Sequence, residues 1–139
     1  MIRKFRKSDI DRIADIWLYA NIKAHHFIPA QYWESNFCAV KEMLALAEIY
    51  VYEEKNEILG FIGLNGRYIE GLFVSEEAQS KGIGTRLLRY VKDRNTRLSL
   101  CVYQQNMRAV TFYQKEGFHI RSERNDEKSR EYIMLWERK

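Results

Sequence analysis

The sequence predicts an α/β (α+β) fold: a mixed, mostly antiparallel sheet with one parallel strand pair at its centre. Three observations carry this. Up to about residue 47 the apolar residues recur at helical spacing, and from Glu48 the period changes to 2 or to short apolar runs. Between Arg67 and Val102 a strand, a helix and a second strand follow one another, an order that makes the two strands parallel. Near the end two strand-like runs flank a polar turn, which reads as a closing hairpin.

Taken in order, Ile2–Phe5 is a short first strand. Ser8-Asp9-Ile10-Asp11 offers a helix cap with acids in the first turn. Ile10, Ile13, Trp17 and Ala20 then form an amphipathic stripe through about Asn21. The segment Lys23-Ala24-His25-His26-Phe27-Ile28-Pro29 holds the only proline and is unusually aromatic and polar for a connector. Pro29 suits the start of a second helix, Ala30–Ala47, with Trp33, Phe37, Val40, Leu44 and Ala47 on its buried face. Ile49–Tyr52 and Ile58–Leu64 are strands joined by a turn at Glu54–Glu57. Asn65-Gly66, a pair in which both residues tolerate positive φ, leads into the strand Arg67–Val74. A helix over Gly84–Asn95 buries Leu87, Leu88 and Val91, and Leu98–Val102 is a buried strand. Asn106 caps a last helix carrying Ala109, Val110, Phe112 and Tyr113, which Gly117 ends as the residue past its C-cap. Phe118–Arg124 and Glu131–Trp136, joined by the turn Asn125–Arg130, form the closing hairpin. The order is β-α-α-β-β-β-α-β-α-β-β, with no linker, repeat or low-complexity stretch, so residues 1–139 read as one domain.

Composition narrows the class without naming a function. The chain is 46% hydrophobic, enough for a sizeable core, and 30% charged. No apolar run approaches the roughly 18 residues of a membrane span, and no apolar signal core follows the basic N-terminus. Cys38 and Cys101 lie within apolar patterns without metal-ligand spacing, which implies two buried free thiols in a reducing cytoplasm. The net charge of +4 comes from scattered basic residues, which weakly favours a polyanionic ligand and does not indicate nucleic acid.

The chemistry centres on Gln79-Ser80-Lys81-Gly82-Ile83-Gly84-Thr85, where a strand becomes a helix. The first amides of a helix have no partner within it, and its dipole favours anions there. Glycine lets the backbone approach a phosphate without a Cβ in the way. A bound phosphate or pyrophosphate is therefore expected, unless the glycines serve turn geometry alone. The run is not a Walker A loop. The dinucleotide fingerprint also fails, because Leu87 stands where its third glycine belongs.

Gln79-x-x-Gly82-x-Gly84 resembles the acetyl-CoA pyrophosphate loop of the GCN5-related N-acetyltransferases, the GNAT superfamily. Asn106-x-x-Ala109-x-x-Phe112-Tyr113-x-x-x-Gly117-Phe118 resembles that family's second signature at each signature position, and the whole element order is similar to that fold. The Ala24–Pro29 loop looks like that of the small bacterial stand-alone members. The resemblance implies that the parallel strands splay and that acetyl-CoA inserts as a pseudo-strand against Leu72, Phe73 and Val74. Its pyrophosphate would meet the amides of Ser80, Lys81, Gly82, Ile83, Gly84 and Thr85, with Gln79 opening the loop. Lys81 would add charge beside the phosphates or stand as a solvated loop lysine. Asn106 would bind the pantetheine arm, and Tyr113 would give its proton to the CoA thiolate.

Tyr113 has a chemical case of its own, since a phenol with pKa about 10 stays protonated at neutral pH; the alternative is an aromatic packed in the core. Glu70, placed by period 2 on the face of Tyr68 and Leu72, is the candidate general base acting through water, or else a strand glutamate facing lysine or solvent. The resemblance places the acceptor cleft beside the loop between the first two helices, which makes His25, His26, Phe27, Trp33, Tyr68 and Tyr103 candidates for the acceptor site. Imidazole titrates near 6.5, so a histidine there can serve as base or anchor; the alternative is that one histidine hydrogen-bonds loop backbone and the other faces water. Adjacent histidines without a third ligand make a poor zinc site, and no metal is expected.

The resulting expectation is an acetyl-CoA-dependent N-acetyltransferase, monomeric or homodimeric. A primary amine (small amine, protein lysine or protein N-terminus) would attack the thioester directly in a ternary complex. The alternative reading is a non-catalytic CoA-binding sensor or interaction module of the same fold. Nucleic-acid binding, suggested faintly by a pI of about 9.1, and a purely structural domain are the remaining rivals.

Overall fold

A computed structural model describes residues 1–126 and 129–139. Its strands are β1 (Ile2–Lys4), β2 (Glu48–Glu54), β3 (Glu57–Asn65), β4 (Tyr68–Val74), β5 (Arg97–Tyr103), β6 (His119–Asn125) and β7 (Arg130–Glu137). Its helices are α1 (Ile10–Ala24), α2 (Ala30–Ser35), α3 (Phe37–Leu44), α4 (Ile83–Lys92) and α5 (Met107–Lys115). The strands form one sheet in the order β1-β2-β3-β4-β5-β7-β6. Every pairing is antiparallel except β4 with β5. The expected sheet is therefore present. Of the expected turn over 125–130, residues 127 and 128 lie outside the described residues.

Alternation along the strands divides the core between two faces of the sheet. On one face Ile49, Val51 and Phe61 pack with Ile13, Ile16 and Trp17 of α1 and with Trp33 of α2. On the other, Ile62, Leu64, Ile69, Leu98, Leu100 and Met134 pack with Leu87, Leu88 and Val91 of α4 and with Val110 and Tyr113 of α5. Burying these side chains drives the fold, at about 25 cal/mol per Å² of apolar surface.

The structure departs from several local expectations. The helix expected over Ala30–Ala47 is broken at Asn36, where φ is −96° and ψ −2°. Asn36 Nδ2 donates to the Tyr32 carbonyl at 2.7 Å and Ser35 Oγ to the Gln31 carbonyl at 2.6 Å. Side chains that bond back to carbonyls four residues earlier compete with the helical ladder and bend it. The Asp9 carboxylate does not cap α1. It accepts from the Arg6 amide at 2.8 Å and from Arg3 at 2.8 and 3.1 Å, tying β1 to the start of α1. The Arg3 bonds hold its pKa below the usual carboxylate value.

The turn after β3 is Gly66-Arg67, with Asn65 already paired to Tyr68 and only Gly66 at positive φ (62°). The two-residue turn with both φ positive is instead Lys55 (53°) and Asn56 (64°), which no glycine announces. Cys38 is exposed rather than buried, because it lies on the outer side of α3, and Cys101 is half-buried.

Candidate active site

Between β4 and β5 the sheet opens. The strands are seven residues each, yet they pair only at Tyr68–Ser99 and Ile69–Leu100. Immediately after Ile69 the β3–β4 register shifts: Gly63 faces Gly71, whereas Leu64 faces Ile69, so Glu70 is an extra residue in β4. Such a bulge bends its strand and re-aims the residues beyond it. Gly71 makes the bend possible, since a Cβ there would lie 2.3 Å from the Phe73 ring. Past the bulge the edge of β4 that faces β5 has no strand partner at Leu72, Phe73 and Val74, and these residues line a cleft of about 730 Å³.

The opposite wall is α5, and the floor is the loop before α4. Gln79, Ser80, Gly82, Ile83, Gly84, Thr85, Asn106 and Tyr113 all border this cleft. Gly82 stands before the first turn of α4 at φ 83°, and Ser80 has φ 66°. Left-handed backbone at these two positions turns the chain into the helix, where the first-turn amides have no partner in their own helix. Lys81 is exposed and does not border the cleft. Gln79 is occupied: Nε2 donates to the Val74 carbonyl at 3.1 Å and Oε1 accepts from Arg108 Nη1 at 3.0 Å.

Arg108 also reaches Ser80 Oγ at 3.3 Å, so the cation beside the loop is an arginine of α5. Sequence reading missed it. Its signal was present, as Arg108 lies two residues past the capping Asn106, in the first turn of a helix aimed at the cleft.

Asn106 caps α5 as expected, its Oδ1 accepting the Ala109 amide at 3.2 Å. Tyr113 is buried between Phe112 and Phe118, with ring centroids 5.2 and 5.6 Å away. Burial holds its phenol well above the ordinary value, so at neutral pH it is a proton-bearing group at the cleft wall.

The bulge also re-aims Glu70. Leu72 and Ile69 pack on the α4–α5 face, whereas a Cβ on Gly63 would meet Glu70 Cβ and Ile49 on the α1 face. Glu70 therefore does not share the face of Leu72, because the extra residue breaks period 2. It is exposed and does not border the cleft proper. On that same face stand Tyr103 and the α1–α2 loop. Tyr103 packs edge-on against His25 at 4.9 Å and Phe27 at 5.7 Å. Trp33 is a core residue, buried in a stack on His25 at 5.3 Å and edge-on to Trp17 at 5.8 Å. His26 is exposed. Of the candidates in and around this loop, only His25 borders the cleft.

Two further residues of this face escaped sequence reading. Glu131 of β7 pairs across from Tyr103, and its Oε2 accepts from the Cys101 thiol at 2.7 Å. Arg124 approaches the other oxygen at 3.5 Å. Burial first, then the Glu131 bond, pushes the Cys101 thiol up to about 12, so it is a donor and not a nucleophile. Burial likewise raises the phenols of Tyr68 and Tyr103. Among the described residues no three His, Cys, Asp or Glu side chains gather to hold a metal ion, and no helix is long and apolar enough to cross a membrane.

Comparison with known proteins agrees with this geometry. Residues 21–135 match the family described as "Acetyltransferase (GNAT) domain". The peptidyl-lysine N-acetyltransferase YiaC of Escherichia coli K12 is 40% identical over 122 residues, covering 86% of this chain and 84% of that protein. The peptidyl-lysine N-acetyltransferase YjaB of the same organism is 30% identical over 128 residues, covering 90% and 87%. The solution structure of apo-form YjaB superposes with a TM-score of 0.87 at 25% identity, covering 98% and 96% of the two chains. The PaiA N-acetyltransferase of Thermoplasma acidophilum, solved in complex with coenzyme A, has a TM-score of 0.85 at 21% identity, covering 99% and 98%.

Proposed function

This chain belongs to the GNAT acetyltransferase family and is an acetyl-CoA-dependent N-acetyltransferase; we propose that its acceptor is the side-chain amine of a peptidyl lysine and that it works in the cytoplasm. The names of its two relatives from Escherichia coli support the lysine acceptor. The free Cys38 and Cys101 suit a reducing compartment. The observation that carries the active-site reading is the unpaired edge of β4 opposite α5, bordered at its end by the left-handed turn of Gly82.

Acetyl-CoA supplies the activated acetyl group as a thioester. The unpaired edge of β4 over Leu72, Phe73 and Val74 would bind its pantetheine arm as a missing strand, with Asn106 on the facing wall. The amides of Ser80 to Thr85 would hold the pyrophosphate, and Arg108 would add positive charge there. Gln79 shapes this loop by bridging β4 to α5, and Lys81 contributes only diffuse charge.

The lysine amine attacks the acetyl carbonyl carbon, so a C–N bond forms as the C–S bond breaks. Tyr113, protonated at neutral pH, gives its proton to the departing sulfur and regains one through water from the new amide nitrogen. Glu70, on the face with Tyr68 and Tyr103, draws the incoming ammonium and takes its proton through water. Phe27 and Tyr103 form the apolar wall beside the lysine stem, with His25 and Trp33 behind them.

The test begins with thermal melts with acetyl-CoA, and with ATP and NAD as controls. A ligand at a hundredfold excess over its dissociation constant adds about 2.7 kcal/mol to the folded state. Only acetyl-CoA should raise the melting temperature. Acetylation of lysine peptides is then compared with that of polyamines and peptide N-termini. Turnover on polyamines alone would overturn the lysine assignment.

A further inference from the structure

Two hydrogen bonds meet on the Asn106 side chain, and together they decide which atom faces which. Its capping partner is the Ala109 amide, a donor, so the oxygen end of Asn106 must face it. Nδ2 is thereby turned to His25 Nε2, 3.2 Å away. An amide nitrogen only donates, so Nε2 receives. The imidazole is then neutral, with its proton on Nδ1. Nδ1 is buried and makes no hydrogen bond of good geometry, although the Asn21 carbonyl offsets part of the effect of burial.

The ring cannot turn to relieve this. Trp33 of α2 stacks on it at 5.3 Å, and Tyr103 of β5 and Phe27 of the loop press edge-on at 4.9 and 5.6 Å. A buried ring with one nitrogen unpaired is costly, yet its other nitrogen is spent on one partner, Asn106. That bond spans the cleft, from the end of α1 to the start of the helix that carries Tyr113.

We propose that His25 is a positioning residue that latches the α1–α2 loop to Asn106, so that binding of acetyl-CoA and ordering of the acceptor wall are coupled. The proposal rests on the reading that Asn106 serves the pantetheine arm. His25 aims the Asn106 amide at the arm, and an occupied Asn106 in turn holds His25, and with it Phe27 and Tyr103, in place for the lysine. His25 is then no general base, because its accepting nitrogen is already engaged.

Protonation would set two donors against each other and open the latch. On the elements packed against the ring, the titratable or charged groups are Tyr103 of β5 in contact with it, Tyr32 of α2 against Trp33, His26 of the loop against Phe27, Lys23 of α1 paired to Glu76, and Arg108 of α5 lining the same cleft. Burial lowers the His25 pKa below its ordinary 6.5, so the latch holds through neutral pH and opens as pH falls through that lowered value.

Steady-state kinetics with acetyl-CoA and a lysine peptide test the coupling. His25→Leu keeps bulk and removes the acceptor; it is expected to raise KM for both substrates about three- to tenfold, the size of one neutral hydrogen bond, with kcat nearly unchanged. His25→Gln places an oxygen near the Nε2 position and is expected to recover most of the acetyl-CoA affinity. The latch is overturned if His25→Gln is no better than His25→Leu, or if His25→Leu leaves the acetyl-CoA KM at the wild-type value. Imidazole ¹⁵N shifts of the ligand-free wild type separate the latch from the reading beneath it. An unprotonated Nε2 is expected, and a proton on Nε2 removes the latch even in a protein that binds acetyl-CoA. A wild-type chain that fails to bind acetyl-CoA would instead overturn the role of Asn106, and the coupling with it.

Discussion

The two sides of the cleft are built in different ways. The proposed cofactor side is mostly backbone: an unpaired strand edge, a left-handed turn and the start of a helix, all supplied by one run from Leu72 to Thr85. The proposed acceptor side, which meets the cleft at His25, is mostly side chains brought from afar, with His25 and Phe27 from the α1–α2 loop, Tyr68 and Glu70 from β4, Tyr103 from β5 and Glu131 from β7. Backbone geometry suits a cosubstrate of constant shape. Side chains on loops and strand ends are where an acceptor preference can change without disturbing the fold.

Tyr113 borders the cleft as the proposed proton donor, and its loss should produce the largest effect. Tyr113→Phe keeps the packing against Phe112 and Phe118 and removes only the proton donor. We expect kcat to fall by about a hundredfold with both KM values nearly unchanged. A matching rise in the acetyl-CoA KM would mean that the residue belongs to the cofactor side alone.

Gly82→Ala should damage only the cofactor side. A Cβ there meets nothing within 4 Å, so the cost is the left-handed backbone itself, about 1–2 kcal/mol. The acetyl-CoA KM should rise about tenfold while the peptide KM holds. Equal changes in both would show that the two sides are not separable at this point.

Glu70→Gln should do the reverse at smaller scale. The carboxylate is exposed and, in the proposed mechanism, acts through water, so kcat should drop only about fivefold, with acetyl-CoA binding unaltered. The smallest expected effect belongs to neither side. The Asp9 carboxylate has its pKa lowered by Arg3, and a group depressed in the folded state stabilises it above the unfolded value of 3.8. That contribution is lost as pH falls through the lower folded pKa, so melting temperature should drop below about pH 4. Asp9→Asn should flatten that part of the curve and leave neutral-pH kinetics unchanged.

The same division governs what could be read in advance. Gln79, Gly82 and Gly84 were legible as a strand-to-helix turn bordering the cleft because their signal is local, a few residues at fixed short spacings. Asn106 and Gly117 were legible as helix signals for the same reason, and both stand where the spacing placed them. Glu70 misled, since period 2 assumes an unbroken strand and the bulge is set by pairing with Gly63 and Leu64 of another strand. The break at Asn36 turned on a choice between side-chain and backbone donors for the carbonyls one turn earlier, which a regular apolar stripe conceals.

By itself the sequence determined the order of the strands, the strand-to-helix turn at Gly82 and the cap of α5 at Asn106, because period, glycine placement and capping act over a few residues. Only the tertiary structure decided that Arg108 bonds Gln79 at that turn, that Cys101 bonds Glu131 of β7, and that His25 bonds Asn106 across 81 positions of chain. Such contacts depend on where the sheet and its bulge deliver residues remote in sequence, and no local spacing encodes that delivery.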